Sequence, residues 1–387
     1  MMEKNTRTAQ IAPAPIQKLI SEVRAPQDLI SLGQGVPFFP PPPEAIDAFV
    51  KSATTLGFRY SEDAGIPELR EAIARKVRRQ NRINAIPDKN IMVTAGGNQA
   101  FVNAILAITK PGDEVILVAP YYFNHFMGIQ IAGCTPIIVH TGANFLPNIE
   151  EIEKKITAKT RAIVTVSPNN PTGQVYSEGL LRKINEICRN HGIYHISDEA
   201  YEDFVFEDAH HHSPASLDTK LTHTISLFSF SKSYSMGGYR VGYMIFPASL
   251  YEEILKVQDT IGICPPVPSQ HAALAAINVG NEYPKKFLPE MDRIRKMFIE
   301  VLKDLPVELS MSKGAFYIYL RFPSRNGRKK LNDWKLAIKM IEKHGVMAIP
   351  ASVFGDCQPG FRISFGNVSE KDAQEGIKRF VNCIRTL

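Results

Sequence analysis

The sequence predicts an α/β fold: a large domain with a mostly parallel seven-stranded sheet between helices, plus a smaller α+β domain. Three observations support this prediction. The chain has 387 residues, more than one compact core usually holds, so two domains are expected. Between residues 91 and 246, short β-branched runs alternate with helical stretches, as in parallel α/β sheets. From about residue 269 the pattern changes to longer helices with few strands.

Seven short runs are the strand candidates of the large domain. Several are apolar throughout, which is expected of strands whose two faces are both covered by helices. The last two lie close together in the chain and could include an antiparallel strand. The runs are IMVTA (91–95), VILVA (115–119), PIIVH (136–140), AIVTVS (162–167), IYHIS (193–197), TISLFSF (224–230) and VGYMIF (241–246).

The remaining elements follow from the same patterns. A proline at the first helical position predicts a helix from Pro67 to about Asn81, and the proline-rich run 36–43 predicts extended chain. We assign residues 45–285 to the large domain and residues 1–44 together with 286–387 to the small one. Further predicted elements are helices at 178–190, 285–304 and 331–343, and strands at 314–322 and 361–366.

Composition excludes several classes of protein. The net charge of +6 is spread along the chain, and the densest basic runs, 75–79 and 328–330, are short, so no nucleic-acid partner is expected. No apolar run approaches the roughly 20 residues that a membrane span needs. The five cysteines are odd in number and lack CxxC spacing, which argues against disulfides or a zinc site and favours a cytoplasmic protein.

The strongest chemical signal is SFSKSYSMGGYRVGY, residues 229–243. Lys232 lies among small hydroxyl residues just after a predicted strand, and a lysine amine condenses with aldehydes to form an imine. Nearby serines and Arg240 suit a phosphate dianion, and the glycines between them allow close backbone approach. Alone, the segment could also be a surface loop with an incidental lysine.

Three further segments end predicted strands, where ligands bind in open α/β sheets. SPNNPTG (167–173) carries Asn170, although a plain turn would use the same residues. SDEAYEDF (197–204) carries Asp198, which could keep a pyridinium nitrogen protonated or simply cap a helix. TAGGNQAF (94–101) leads a strand into a helix, whose free N-terminal amides can bind an anion.

Together and in this order, these segments resemble the class I/II aminotransferases among the fold type I enzymes that depend on pyridoxal 5′-phosphate (PLP), the aspartate aminotransferase superfamily. The resemblance extends from LGQGVPFFPP (32–41) to FRISFG (361–366). It implies exchange of an amino group between an L-amino acid and a 2-oxo acid.

The resemblance also implies roles around the cofactor ring. Lys232 would hold PLP as a Schiff base and then move the proton between the substrate and the cofactor. Asp198 would pair with the pyridine nitrogen, while Asn170 and Tyr201 would bond the phenolic oxygen. Tyr122 would stack on the ring. We therefore expect Lys232, Asp198 and Tyr201 to be the catalytic residues.

The phosphate and substrate ends follow in the same way. The amides of Gly97 and Asn98, with Ser229 and Arg240, would hold the phosphate. Tyr60 would reach the phosphate of a neighbouring subunit, which implies a homodimer with shared sites. The remaining expected substrate contacts are Arg362, a planar partner for the α-carboxylate, and Gly35 and Asn170 beside it.

Substrate choice stays open at this stage. Asn98 stands where a branch specialised for aspartate often has lysine, which weakens the case for a dedicated aspartate enzyme. Tyr122 and Phe123 favour aromatic or broad substrates. For His125 itself, the expected place is the surface of a helix.

Two alternative functions use the same cofactor. A carbon–sulfur β-lyase would need the same site residues, so the sequence separates it poorly from an aminotransferase. A non-catalytic PLP-binding regulator usually has an added DNA-binding domain, and only about 30 residues precede LGQG, fewer than a small domain needs.

Two other clusters invite chemical readings that we do not favour. His210, His211 and His212 resemble a metal site, but the acidic residues before them and Ser213-Pro214 after them predict a solvated loop, so no metal is expected. Glu62 and Asp63 resemble paired carboxylates for acid–base work, yet they fit a turn before the helix at residue 67.

Overall fold

The computed structural model describes residues 6–9, 11–323 and 331–386. The basic run at 328–330 lies outside these residues. The other run lies on a helix, where Arg75, Arg78 and Arg79 are exposed. No helix within the described ranges is both long enough and apolar enough to cross a membrane.

The described residues form thirteen strands and fifteen α-helices. The strands are β1 Ile30–Ser31, β2 Ile91–Thr94, β3 Glu114–Ala119, β4 Thr135–His140, β5 Thr160–Val166, β6 Tyr194–Asp198, β7 Thr224–Ser229, β8 Gly242–Ile245, β9 Glu308–Leu309, β10 Tyr317–Arg321, β11 Val346–Met347, β12 Ile349–Pro350 and β13 Gly360–Ser364. The helices are α1 Pro15–Ser21, α2 Pro43–Thr55, α3 Pro67–Asn81, α4 Pro87–Asn90, α5 Gly97–Ile108, α6 Phe123–Ile131, α7 Ile149–Lys154, α8 Glu178–His191, α9 Phe230–Ser233, α10 Tyr251–Gly262, α11 Val267–Val279, α12 Glu282–Lys285, α13 Leu288–Leu302, α14 Asp333–His344 and α15 Glu370–Arg385.

A seven-stranded sheet forms the centre of the fold, in the order β2-β8-β7-β6-β5-β3-β4. Strand β8 runs antiparallel to both of its neighbours, β7 and β2, and the other pairs are parallel. The predicted α/β fold with a mostly parallel seven-stranded sheet is therefore confirmed. All seven strand candidates appear, with ends within two residues of the prediction.

The two faces of this sheet are buried in separate apolar layers. Leu117 of β3 packs in the layer that contains Ile105 of α5, while the next residue back, Ile116, packs in the layer that contains Ile184 of α8. Successive side chains of a strand point to opposite faces. Helices on both sides thus explain why residues 115–119 of β3 are all apolar.

Local signals end the helices where the sequence suggested. Helix α3 begins at Pro67 and stops before Arg82, whose φ of 58° is left-handed. In α8, Ser177 accepts a hydrogen bond from the Leu180 amide, and Gly192 ends the helix at a φ of 64°, where a side chain would be strained. The predicted helix at 285–304 is shorter, because α12 and a turn precede α13.

The carboxyl-terminal part forms a second, four-stranded sheet in the order β12-β13-β10-β9. Strands β10 and β13 are antiparallel, with Tyr319 opposite Arg362. Near the amino terminus, β1 pairs in parallel with β11, so residues 30–31 join the carboxyl-terminal part. The proposed domain limits, 45–285 against 1–44 with 286–387, remain a prediction.

Four parallel strands of the large sheet end at the same edge. Asp198 is the last residue of β6. The residues that lie just beyond the other three ends are Gly97 after β2, Asn170 after β5 and Lys232 after β7. The carboxyl edge of an open α/β sheet is where ligands bind. The topology therefore brings four of the sequence motifs to one place.

Candidate active site

Lys232 lies in the short helix α9 and points toward the amino-terminal segment of the chain. Its Nζ donates a hydrogen bond of 2.6 Å to the carbonyl oxygen of Gly35. Burial and the positive charge of Arg362 lower the pKa of Lys232 from 10.5 to about 8, against the opposing effect of Asp198. An amine with this pKa is neutral in part at physiological pH, as a nucleophile must be.

Asp198 is held by a histidine from another part of the sheet edge. Its Oδ2 lies 3.1 Å from Nε2 of His125, and its Oδ1 accepts from the amide of Ala200 at 3.1 Å. His125 is only 2% exposed and stacks on Phe101 with ring centroids 4.2 Å apart. The expectation that His125 lies on a helix surface is therefore wrong, because this turn of α6 faces the sheet.

Arg362 binds across to the large sheet. Its Nη1 donates to Oδ1 of Asn170 at 2.9 Å and its Nη2 donates to the Gly33 carbonyl at 2.6 Å. The Nδ2 of Asn170 in turn donates to the Tyr201 hydroxyl at 3.5 Å. Nε of Arg362 is buried without a hydrogen-bond partner among the described residues. Most buried polar groups in proteins have a partner, so this Nε is free to bond a ligand or a water.

Sequence reasoning missed Tyr317, which joins Arg362 to Tyr201. The hydroxyls of Tyr317 and Tyr201 share a hydrogen bond of 2.7 Å, and the Arg362 guanidinium lies 4.4 Å from the centroid of the Tyr317 ring. The sequence offered one signal, a tyrosine in the strand candidate 314–322. The presence of a tyrosine does not say which face of the strand meets the site.

A second group of residues forms an anion-binding corner. Helix α5 begins at Gly97, directly after Gly96, whose φ is 87°. A Cβ atom on Gly96 would lie 2.5 Å from Nη2 of Arg240, so only glycine fits here. Arg240 donates to the carbonyl oxygens of Gly237 at 2.8 Å and Ala95 at 3.3 Å. Free helix amides beside an arginine suit a phosphate.

Ser229, the last residue of β7, lies near this corner. Its hydroxyl accepts a hydrogen bond of 3.1 Å from the Ser231 amide and so caps α9. A Cβ atom on Gly97 would lie 3.8 Å from the Cβ of Ser229. Ser229 therefore serves the helix that carries Lys232 and lies beside the first turn of α5.

Tyr122 forms one wall of the site. Its hydroxyl donates to Oδ1 of Asn98 at 3.4 Å and accepts from Nδ2 of Asn124 at 2.8 Å. Burial, and then the negative charge of Asp198, raise the pKa of Tyr122 to about 12. The tyrosine is therefore a neutral ring at physiological pH.

Tyr60 is the one predicted site residue that the fold does not bring to the others. Its side chain is 78% exposed, next to Phe58 at 74%. The other eleven, which are Gly35, Gly97, Asn98, Tyr122, Asn170, Asp198, Tyr201, Ser229, Lys232, Arg240 and Arg362, lie at or beside the carboxyl edge.

The alternative clusters have structural roles. His211 does not lie in a solvated loop as predicted: its side chain is 10% exposed, and its Nε2 bonds Oε2 of buried Glu199 at 2.9 Å. Glu62 lies in the turn before α3 and forms an ion pair of 2.5 Å with Arg70 of that helix. Within the residues that the structure covers, no group of three or more His, Cys, Asp and Glu side chains could hold a metal.

Charge and hydrogen bonding together describe the ligand that this site suits. Lys232, Arg240 and Arg362 are cations, and every hydrogen bond that they donate within the described residues goes to a neutral carbonyl or amide oxygen. In the part of the chain that the structure describes, Asp198 is the one acid whose charge acts on Lys232. The donor set thus fits a ligand with a phosphate at one end and a carboxylate at the other.

Comparison with known proteins agrees with this geometry. The family model for aminotransferase class I and II matches residues 27–380. An aspartate aminotransferase of Pyrococcus abyssi is 35% identical, and the alignment covers 99% of both chains. An aromatic aminotransferase of Arabidopsis thaliana is 33% identical over 97% of this chain and 93% of that protein.

A solved structure shows the same fold. A single mutant of the Thermus thermophilus aspartate aminotransferase superposes with a TM-score of 0.90 at 28% identity, covering 99% of this chain and 100% of that one. The family match spans nearly the whole chain, and the relatives share its full length. This chain therefore belongs to the class I and II aminotransferase family and is an aminotransferase.

Proposed function

We propose that this aminotransferase uses PLP, held covalently through Lys232, to exchange an amino group between an L-amino acid and a 2-oxo acid. One observation carries the proposal. Three cations that have no carboxylate partner among the described residues, Lys232, Arg240 and Arg362, lie at a sheet edge where Asp198 supplies the acid. Lys232 suits the aldehyde of PLP, Arg240 its phosphate and Arg362 the carboxylate of the substrate. Asp198 suits the ring nitrogen.

The chain's residues divide the work of binding the cofactor. Bound PLP supplies an aldehyde for amines and a ring that takes up the electrons of the substrate's Cα–H bond. Asp198, oriented by His125, keeps a proton at the pyridine nitrogen. Tyr201 and Asn170 would hold the phenolic oxygen, and Tyr122 would cover one face of the ring.

The phosphate end is anchored by backbone and side chain together. The amides of Gly97 and Asn98 begin a helix of 12 residues, and helix amino termini attract anions. Ser229 adds a hydroxyl and Arg240 a full positive charge. Lys232 is not part of this anchor, so these groups would hold the phosphate of PLP whether or not the lysine is bound to it.

Lys232 then acts as the base that moves the proton. Its pKa of about 8 lies near physiological pH, where a general base works best. Because Nζ bonds the Gly35 carbonyl, the amine has a fixed place, near enough to Arg362 for its charge to act on the lysine. Arg362 orients the substrate by its α-carboxylate, so that the Cα–H bond faces Lys232.

The substrate range that we propose is broad, covering aromatic and dicarboxylic amino acids. Relatives of similar identity are named aspartate and aromatic aminotransferases, and the site offers both kinds of contact. Asn98, Tyr122 and Asn124 form a hydrogen-bonded row of neutral groups. A neutral row accepts an aromatic side chain and can still hydrogen-bond a carboxylate.

We propose a homodimer in the cytoplasm. Phe58 and Tyr60 are exposed by 74% and 78%, and Val50 on the preceding helix by 59%. Neighbouring exposed apolar side chains mark an interaction surface, and a second copy would place Tyr60 at its phosphate site. Sedimentation at assay concentration tests this, since a fully active monomer would contradict it. The cysteines are free, as in a reducing compartment.

The two alternative functions are not favoured. A carbon–sulfur β-lyase and a non-catalytic regulator would use the same cofactor site, but the relatives that match over nearly the full chain are aminotransferases. Cystathionine supplied without a 2-oxo acid separates the lyase, because only a lyase would release pyruvate and a thiol from it.

The central test compares Lys232→Ala with Lys303→Ala, a change on the surface. Lys232→Ala should still bind PLP through Arg240 and the Gly97 amide, but lose the covalent bond and nearly all turnover. Protein mass after borohydride reduction detects the covalent bond, and a screen of amino acids against the visible absorbance of bound PLP detects the first half of the reaction. Retained covalent binding in Lys232→Ala would contradict the proposal.

A further inference from the structure

Four side chains from separate segments form a closed ring of contacts, here called the circuit, at the centre of the site. Arg362 donates to Asn170 at 2.9 Å, Asn170 donates to Tyr201 at 3.5 Å, and Tyr201 shares a 2.7 Å hydrogen bond with Tyr317. The Tyr317 ring returns to Arg362, 4.4 Å from its guanidinium. Three members already have proposed roles toward the cofactor or substrate. Tyr317 has none.

Strand pairing explains how Tyr317 reaches both neighbours. In the antiparallel pair β10–β13, Tyr317 lies opposite Ser364 and Tyr319 lies opposite Arg362. Tyr317 is therefore a diagonal neighbour of Arg362 on the same face, within reach of a long side chain. Its side chain is 1% exposed, so its hydroxyl must bond inside the protein.

The number of protons in the circuit decides what Tyr317 does. A tyrosine hydroxyl has one proton to donate. The amide of Asn170 donates to the Tyr201 hydroxyl. In the separate hydrogen bond between the two tyrosines, one hydroxyl must donate and the other must accept. If Tyr317 donates, the proton of Tyr201 remains available for the cofactor. If Tyr201 donates to Tyr317, the proton of Tyr201 is used inside the protein and cannot be donated to the cofactor.

Both hydroxyls keep their protons at physiological pH. Burial raises the pKa of Tyr201 well above its ordinary value, and burial also raises the pKa of Tyr317. Arg362 opposes the rise in both cases. The pair therefore holds two protons, and either hydroxyl can be the donor of the hydrogen bond between them.

Gly35 leaves the space that Tyr317 needs. A Cβ atom on Gly35 would lie 2.1 Å from the Tyr317 hydroxyl, closer than any real contact. The carbonyl of Gly35 also accepts from Lys232. The glycine at this position thus permits the tyrosine hydroxyl and the lysine amine to approach the same backbone.

We propose that Tyr317 is a positioning residue: its hydroxyl donates to Tyr201 and directs the Tyr201 proton to the cofactor, while its ring supports the Arg362 guanidinium. This inference rests on the proposed PLP site. It assigns two separable effects to one side chain. The hydroxyl acts on the cofactor through Tyr201, and the ring acts on substrate binding through Arg362.

The test uses the visible absorbance of bound PLP, titrated with pH. A donor to the phenolic oxygen stabilises its negative charge and lowers the proton affinity of the neighbouring nitrogen. Tyr317→Phe weakens that donor, so the titration midpoint should rise by roughly half a unit to one unit, the equivalent of one buried hydrogen bond. Tyr201→Phe should shift it in the same direction, and adding Tyr317→Phe should then have no further effect.

Two more variants separate the hydroxyl from the ring. Gly35→Ala displaces the hydroxyl without removing it, and should also raise the midpoint. Tyr317→Phe should leave the KM for the amino acid within about twofold, whereas Tyr317→Leu should raise it several-fold, up to roughly thirtyfold for a lost cation–π contact. Tyr319→Phe is the matched control, because its buried hydroxyl bonds Asp356 at 2.9 Å and should not affect the midpoint.

The outcomes separate this inference from the proposed function. If Tyr201→Phe shifts the midpoint and Tyr317→Phe does not, the inference is overturned while the PLP site stands. If Tyr319→Phe shifts the midpoint as much as Tyr317→Phe, the effect belongs to general destabilisation and the inference also fails. If the parent chain acquires no visible PLP band, both proposals fail.

Discussion

Nε2 of His125 lies 3.1 Å from Oδ2 of Asp198, and this contact joins the first turn of α6 to the end of β6. The histidine is fixed from behind by its stacking on Phe101. A carboxylate next to an oriented imidazole keeps one direction, and we therefore expect His125 to set the aim of Asp198 at the cofactor nitrogen.

Replacing the imidazole should weaken cofactor binding. His125→Phe keeps a ring against Phe101 but removes the hydrogen bond to Asp198. Hydrogen bonds to charged groups contribute about 1.5–3 kcal/mol, so PLP affinity should fall by roughly tenfold to a hundredfold. Absorbance titration of the cofactor-free protein with PLP measures the affinity. His140→Phe, at an exposed position of β4, is the control, and equal affinities in the two variants would refute the role.

The burial of His125 shows what sequence reasoning could not supply. Lys232, Asp198 and Arg362 were predicted because each stands in a segment with a recognisable local pattern. His125 and Tyr317 act through partners 73 and 116 residues away in the chain, and spacing alone does not say which faces will meet. Long-range partners become visible only when the sheet is assembled.

Element prediction succeeded where the local signal was complete. Helix α3 begins at Pro67 and ends at Asn81, as predicted, and Arg82 after it takes a left-handed φ of 58°. The prediction for the histidine run was wrong for the opposite reason. Polar neighbours predicted a solvated loop, yet His211 bonds the buried carboxylate of Glu199. Glu199 directly follows β6, twelve residues earlier in the chain.

Arg362 should require its planar shape as well as its charge. Arg362→Lys keeps a positive charge but loses the planar fork that bonds Asn170 and Gly33 and that we propose also binds the substrate carboxylate. The kcat/KM for the amino acid should fall by roughly tenfold to a hundredfold, with PLP content unchanged. Steady-state kinetics measure this against Arg189→Lys, an exposed position of α8. A change below about twofold would contradict a two-pronged carboxylate contact.

The buried His195 should make stability depend on pH. It bonds Thr165 at 2.9 Å and Asn185 at 3.2 Å, and burial, together with the charge of His223, lowers the pKa of His195 from 6.5 to about 3. The unfolded chain therefore binds a proton that the folded chain refuses. The contribution of neutral His195 is fully present above pH 6.5 and is lost as the pH falls toward 3.

Urea unfolding at several pH values tests this. Below pH 6.5, His195 alone should remove stability with a slope approaching about 1.4 kcal/mol per pH unit. His195→Gln retains an amide that can hydrogen-bond but does not titrate, so its stability curve should be flatter between pH 6.5 and 5. Parallel curves for the parent and His195→Gln would show that the histidine is not the source.

The last prediction concerns the ion pair between Lys76 and Glu202, the residue after Tyr201. Nζ of Lys76 bonds Oε1 of Glu202, and the amide of Asn81 bonds Oε2 of the same carboxylate at 2.7 Å. The two charged side chains are 9% and 11% exposed. Lys76→Met leaves Glu202 buried without its cation, and such losses cost about 3–5 kcal/mol. The free energy of unfolding should fall accordingly.

The matched control is Lys154→Met, because Lys154 forms an ion pair of 2.8 Å with Glu151 but is 69% exposed. Water screens that pair, so its loss should leave stability unchanged. Removing both partners, in Lys76→Met with Glu202→Leu, should recover part of the loss, since the penalty comes from the unpaired buried charge and not from the missing attraction. If the double variant is as unstable as the sum of the single ones, the two side chains act separately, and Glu202 is held by Asn81 instead of by Lys76.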